Sequence, residues 1–337
     1  MIIGRSEPLD YKSVFETIVN VTSDYVNNCG IKTMVLGLSG GLDSTVCAAI
    51  CKKVSEKTDV KLIGVSLPCS TNKEDEKTSA SLAGKEFCDE YTENNIQDVF
   101  VVAERACEGI AKLPSTGISQ GNIKARLRMI VLYDIASKMR GIVIGTSNTT
   151  ERLTGFWTLH GDEGDINPIG DLWKTEVYDL AEYLYKEIYK DSAALKAAIE
   201  IVPTDGNGVS ASDADQIMPG YTYYDIDLVL STWNALSPKI KNIMMSDGLT
   251  KSIKGTVFAK EPVDERNKRI EFCKKSGVEF KDNLGTIYGE ELVRKVILRS
   301  LGTEFKRNRG EIAISLTGSL NGQFILFSNM PKTHIFK

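Results

Sequence analysis

An α/β fold with a parallel sheet flanked by helices is what this sequence predicts, and three observations carry the prediction. Short apolar runs alternate with helix-period segments through the first half of the chain, the pattern of βαβ units. A turn rich in glycine and hydroxyl residues, Gly37–Ser44, joins the first run to a helix. The other clusters of Gly, Asp, Glu and Thr follow later runs, at the carboxyl ends where such sheets bind ligands.

In chain order, Thr33–Leu38 (TMVLGL) reads as the first strand and Ser44–Cys51 as the start of its helix. Lys61–Leu67 (KLIGVSL) is the second strand, followed by a polar segment and a helix to about Tyr91. Asp98–Val102 and Ile142–Ile144 read as further strands with helices between them. Leu236–Arg299 is charged and helix-forming, an inserted or appended helical element. Ile312–Leu316 and Gln323–Phe327, around Gly318 and Gly322, read as a β-hairpin. The expected organisation is a core over residues 1–235 and a helical insertion with a C-terminal segment over 236–337.

Composition narrows the function class. The net charge of -4 gives no bulk attraction to nucleic acid or anionic membrane, so a polyanionic substrate needs local basic groups. The start, MIIGRSEPLD, lacks the apolar stretch of a signal peptide, and no window reaches transmembrane length. Seven cysteines without a CxxC pair read as reduced thiols, so a cytoplasmic setting is expected. His160 and His334 are the only histidines, which leaves no compelling His-based acid–base or metal mechanism.

The strongest local signal is Gly37-Leu38-Ser39-Gly40-Gly41-Leu42-Asp43-Ser44. Adjacent glycines turn the backbone so that several N–H groups point inward, and the following helix adds its positive end; both suit phosphate. The turn is neither a Walker A loop nor a GxGxxG fingerprint. Asp43 is placed to hold a metal against phosphates, with the Ser39 and Ser44 hydroxyls nearby; a plain strand–helix turn is the alternative.

SGGxDS resembles the pyrophosphate loop of the N-type ATP pyrophosphatases, and later segments resemble one family among them, the NAD synthetases. The resemblance implies a Rossmann-like sheet of the adenine nucleotide alpha hydrolase-like kind. Gly121-Asn122-Ile123-Lys124-Ala125-Arg126-Leu127-Arg128-Met129 is similar to the family's GNxxARxRM helix. Helical spacing gives it an apolar stripe of Ile123, Leu127, Ile130 and Val131, with Asn122 and Arg126 on one flank and Lys124 and Arg128 on the other. Without the resemblance, a solvated basic helix is the first reading. Gly145-Thr146-Ser147-Asn148-Thr149-Thr150-Glu151 is similar to GTxNxTE, in which Glu151 becomes a second metal carboxylate. Thr154-Gly155-Phe156-Trp157 and Gly161–Ile169 resemble a substrate loop, otherwise ordinary turn chemistry. By resemblance Asp165 contacts deamido-NAD and Phe156 lies against its nicotinate ring. Lys174 opens the helix of Asp171–Val177, where the helix dipole disfavours a cation. The family's assignment, a lysine reaching a triphosphate, explains that position; an exposed lysine tolerating the penalty is the alternative. Pro203-Thr204-Asp205-Gly206 resembles the turn whose threonine contacts ATP, and Tyr223–Asp227 the YDEID segment, more structural than catalytic.

Two departures stand out: Phe305-Lys306-Arg307 where the family has His-Lys-Arg, and Leu159 where it has lysine. Taken together, the resemblance implies ATP on Gly37, Ser39, Gly40, Gly41, Asp43, Ser44, Thr146, Lys174 and Thr204. It implies deamido-NAD on Asn122, Arg126, Phe156, Asp165 and Lys306, and Mg2+ on Asp43 and Glu151, with Asp43 and Lys174 as the catalytic pair. The implied reaction is adenylation of the nicotinate carboxylate, then amidation. Ammonia is the expected donor, because no nitrilase-like segment or early nucleophilic cysteine precedes the first helix. A homodimer follows by resemblance only. A GMP synthetase-like relative and a catalytically dead nucleotide-binding protein are the rival readings.

Overall fold

The computed structural model describes residues 9–202, 204, 213–217, 221–246, 271, 290–307, 312–314 and 326–327. Its frame is a seven-stranded sheet in the order β3-β2-β1-β4-β5-β6-β7. The strands are β1 (Thr33–Gly37), β2 (Lys61–Ser66), β3 (Glu90–Glu93), β4 (Gly141–Ile144), β5 (Ile166–Asn167), β6 (Ile312–Ile314) and β7 (Leu326–Phe327). Neighbours from β3 to β6 are parallel, and only β6 and β7 pair antiparallel. The chain leaves β1 toward β2 on one side and returns to β4 on the other. The β1/β4 boundary is therefore the topological switch point, where a crevice opens at the strand ends.

Both faces of the central strands are buried, and alternate residues divide between two cores. Met34, Leu36, Leu62, Ile142 and Ile144 face one apolar cluster; Val35, Ile63, Val65 and Val143 face the other. The first cluster packs against α1 (Tyr11–Asn28), α2 (Leu42–Lys57), α3 (Glu74–Phe87), α7 (Lys174–Tyr183) and α8 (Ala193–Glu200). Helix α2 lies deepest, with Val46, Cys47, Ala48, Ala49, Ile50 and Cys51 all at 0% exposure, which explains why that central run is unbrokenly apolar. The opposite face is covered by α4 (Gln97–Ala111) and α5 (Gly117–Lys138). A third cluster joins α10 (Tyr223–Ala235) to α11 (Pro238–Ser246) and α12 (Glu290–Gly302) through Ile226, Leu230, Met244, Val293 and Ile297. The short helices α6 (Thr149–Thr154), α9 (Asp213–Ile217) and α13 (Glu304–Arg307), with a π-helical turn over Leu184–Ile188 that continues α7, complete the described helical elements.

Three expectations need correction. Asp98–Val102 lies in α4 instead of forming a strand, and the third strand is Glu90–Glu93, where a helix was expected to run on to Tyr91. Glu90–Glu93 is a charged edge strand that carries no alternating apolar signal. Val99 and Val102 of the apolar run are 57% and 68% exposed, so that run is a helix face instead of a core strand. In α5 the expected stripe holds for Ile123, Leu127 and Val131, whereas Ile130 points outward. Of the expected hairpin, β6 and β7 pair antiparallel and β6 joins the sheet edge at β5; residues 315–325, with Gly318 and Gly322, lie outside the described residues.

Candidate functional site

A cleft of about 470 Å³ opens at the switch point. Its floor is the turn after β1. Gly40 has φ +83°, and a Cβ there would meet the Glu76 carbonyl oxygen at 2.0 Å, so only glycine lets the turn pass α3. The turn is braced internally: the Ser39 and Ser44 hydroxyls are 3.1 Å apart, Gly41 N–H donates to Ser39 Oγ at 3.2 Å, and Ser44 Oγ donates to the Gly41 carbonyl at 3.1 Å. Helix α2 starts at once after Gly41, with no side-chain cap, so its first N–H groups and positive end face the cleft for an anion.

Three charged side chains meet beside this turn. Lys174 Nζ donates to Asp43 Oδ2 and stands 3.7 Å from Glu151 Oε1. Lys174 is 2% exposed, while the two carboxylates keep 15% of their surface toward the cleft. Each arrives by its own local logic. Asp43 sits in the first turn of α2, and its other oxygen accepts from Asn148 Nδ2 at 3.0 Å. Asn148 caps α6, its side chain accepting from Glu151 N–H at 3.0 Å while the Glu151 carboxylate accepts from the Asn148 N–H at 3.3 Å. Lys174 opens α7 behind Trp173, whose N–H is accepted by Glu176 at 3.0 Å.

The electrostatics follow from burial. Desolvation works against the Lys174 ammonium, but Asp43 and Glu151 outweigh it and raise its pKa, so it stays charged. Burial, reinforced by Asp43, pushes the Glu151 carboxyl well above the usual range despite Lys174. Two carboxylates opening on a cleft with anion-binding N–H groups suit a hard divalent cation completed by phosphate oxygens. Among the described residues no group of three or more His, Cys, Asp or Glu side chains could hold a metal by itself, so the fit depends on those added oxygens.

The far end of the cleft is built differently. Lys306 of α13 donates from Nζ to the carbonyls of Gly155 at 2.8 Å and Trp157 at 2.6 Å, and lies 5.5 Å from the Trp157 ring centre. Arg299 Nε donates to the Thr154 carbonyl at 2.9 Å, and Arg307 Nη1 to that of Leu153 at 3.1 Å. Three cations from late in the chain thus bind the carbonyl end of α6, where the helix dipole favours them. Burial and the neighbouring Arg299 lower the Lys306 pKa.

The cleft brings together Gly37, Ser39, Gly41, Asp43, Ser44, Asn122, Thr146, Glu151, Phe156, Lys174, Thr204 and Lys306 among the expected site residues. Three others are not on its wall. Gly40 backs onto α3. Arg126 reaches the Leu159 carbonyl at 3.3 Å on the exposed side of α5, while Arg128 takes the cleft side, donating to the Leu67 carbonyl at 3.0 Å. Asp165 serves the sheet, accepting from Val143 N–H at 2.8 Å and from Tyr133 Oη at 3.3 Å. Lys124 is 3% exposed, over the Phe100 ring, so one flank of the basic helix is turned inward. Glu76 went unnoticed in the sequence: it lines the cleft and accepts from Thr204 Oγ and from Asn72 Nδ2. Its only sequence signal was an acid in the first turn of a helix.

Fold and site together define a doubly wound α/β protein with an anion-binding strand–helix turn at its switch point and a lysine and two carboxylates beside it. Residues 14–263 match the NAD synthase family, and the chain belongs to it. The NH3-dependent NAD+ synthetase of Helicobacter pylori (strain HPAG1) is 36% identical over 228 residues, covering 67% of this chain and 81% of that protein. That of Thermoplasma volcanium is 34% identical over 199 residues, covering 59% and 75%. Among solved structures, NMN synthetase from Francisella tularensis superposes with a TM-score of 0.57 at 26% identity, covering 82% of this chain and all of that one. NH3-dependent NAD synthetase from Campylobacter jejuni gives 0.54 at 25% identity, covering 81% and 99%.

Proposed function

We propose that this chain is an ammonia-dependent NAD synthetase: it adenylates the nicotinate carboxylate of deamido-NAD with ATP, then amidates it to give NAD, AMP and pyrophosphate. The observation that carries this reading is the meeting of Lys174 with Asp43 and Glu151 beside an anion-binding turn, at one end of a cleft that runs on to Asn122, Phe156 and Lys306.

ATP lies along Gly37–Ser44, with Thr146 and Thr204 on the cleft walls beside it. Asp43 and Glu151 would hold Mg2+ there, and the chemistry it would supply is charge neutralisation of the phosphate chain. Lys174 stays protonated and balances the charge that develops when the substrate carboxylate attacks the α phosphorus in line. The β and γ phosphates remain in the turn as pyrophosphate. Ammonia then attacks the acyl carbon, AMP leaves, and no covalent bond to the protein forms. At the far end Asn122, Phe156 and Lys306 position the acid substrate, while Arg126 and Asp165 act through the loops they hold. Residues 1–235 supply the nucleotide half of the site, and 236–337 complete the substrate half through Lys306.

The protein works as a homodimer in the cytoplasm. Val99, Val102, Ile110, Leu113 and Ile118, on α4, the connection after it and the start of α5, are each more than half exposed, a surface that favours a second copy. Among the described residues no helix is long and apolar enough to cross a membrane.

The test is NAD formation from nicotinate adenine dinucleotide, ATP and Mg2+, with ammonium or glutamine as donor, and with nicotinate mononucleotide as the alternative acid. NAD and AMP formed with ammonium and not with glutamine are the expected result. Amidation of the mononucleotide alone would move the chain to the chemistry named for the Francisella structure, and no amide from either acid would overturn the proposal.

A further inference from the structure

Asp227 lies outside the cleft, on α10, and is 1% exposed. One oxygen accepts the hydroxyl of Thr150; the other accepts the backbone N–H of Thr175 at 3.0 Å and its hydroxyl at 2.9 Å. Thr150 Oγ in turn accepts the backbone N–H of Lys174 at 2.9 Å. A single carboxylate therefore ties the start of α6, next to Glu151, to the start of α7, next to Lys174. It also places an acid at the N-terminal end of α7, where the helix dipole favours one, and so offsets the unfavourable position of Lys174 in that first turn. Burial pushes the Asp227 carboxyl up to about 7 against the three hydrogen bonds that favour its charged form. The carboxylate stands 77 residues along the chain from Thr150 and 52 from Thr175, so it joins the two helix starts across the fold.

We propose that Asp227 is the positioning residue of the phosphate end, setting Glu151 and Lys174 against Asp43 by fixing the first turns of α6 and α7. The proposal rests on the function argued above only for the identity of the ligand, Mg2+–ATP. It differs from a merely stabilising role in what it commands: the cation requirement of nucleotide binding.

The experiment uses the full-length protein and measures ATP binding as a function of Mg2+ without the acid substrate, beside kcat in the amidation assay. Asp227→Asn keeps the shape and removes the negative charge and one of the two acceptor oxygens shared by Thr150 and Thr175. It is expected to shift the Mg2+ midpoint and to lower kcat by about 10- to 100-fold each, the size seen when an outer partner of a metal ligand is removed. Val229→Ala, two residues on in α10 and in the apolar cluster, is the control for lost stability and is expected to leave the Mg2+ midpoint in place. Thr150→Ala is expected to shift the midpoint in the same direction by less, and to show no further effect when combined with Asp227→Asn. An unchanged midpoint in folded Asp227→Asn, or an equal shift in Val229→Ala, overturns the proposal. Should Asp227→Asn fail to fold, an unchanged midpoint in Thr150→Ala overturns it alone. Wild-type protein that binds Mg2+–ATP but forms no amide contradicts the proposed reaction and leaves this test intact.

Discussion

The two ends of the cleft are held by opposite means. At the phosphate end the key side chains stand on helix first turns directly after strands or short loops, and side chains tie those turns together: Asn148 Nδ2 donates to Asp43, Asn148 and Glu151 each accept the other's backbone N–H, and Asp227 accepts the Thr175 N–H at the start of α7. At the substrate end the segment Leu153–Trp157 is fastened through its backbone carbonyls by cations that arrive 145 to 154 residues later in the chain. The first end is built from local capping geometry on the rigid sheet; the second exists only when the C-terminal helices dock. The first should therefore tolerate least chemistry and the second least loss of packing.

Lys174→Ala tests the first end most severely. It removes the only ammonium at the Asp43 and Glu151 carboxylates among the described ion pairs and leaves two buried acids facing each other. The expected loss in kcat is about 10²- to 10³-fold or more, with the fold retained by circular dichroism. A loss below tenfold would mean that the lysine is only structural. Gly40→Ala strikes the same end through the backbone. The φ of +83° and the 2.0 Å approach to Glu76 predict a destabilisation of about 1–3 kcal/mol, read from denaturant unfolding. An unfolding midpoint equal to wild type would show that the turn can relax away from α3.

The same contrast sets what was legible in the sequence. Gly37–Ser44, Asn148–Glu151 and Lys174 were legible because their chemistry is bound to short-range geometry: a strand end, a cap, a first turn. Lys174 even announced itself by standing where a cation is disfavoured. Glu76 and the linking role of Asp227 were not, since an acid at a helix start or inside a helix reads as solvated until a distant partner is seen. Arg126 and Arg128 were sorted onto the correct opposite flanks, but spacing cannot say which flank meets the cleft. Asp165 had the right loop for a ligand contact, yet its carboxylate is turned to the Val143 N–H. For the fold, apolar alternation located β1, β2 and β4 and failed at β3, whose EYTE sequence is polar at a sheet edge.

Lys306 offers the finest test, because it differs from Lys174 in the sign of its pKa shift. Lys174 is raised, so its charge outlasts that of an ordinary lysine as pH rises. Lys306 is lowered by burial and by Arg299, so it loses its proton at a lower pH than an ordinary lysine. In the unfolded chain Lys306 binds the proton more tightly than in the folded one, so between the two pKa values folding stability rises with pH while the substrate-facing charge disappears. An alkaline rise in KM for the acid substrate, with little change in kcat, therefore belongs to Lys306. Lys306→Met should raise KM about tenfold at neutral pH and remove the alkaline rise. Lys306→Arg keeps a charge that does not titrate in this range; its KM should stay level where the wild-type value climbs by a few fold. If the arginine variant shows the same climb, the titrating group is elsewhere and Lys306 is a clasp on the Gly155 and Trp157 carbonyls alone.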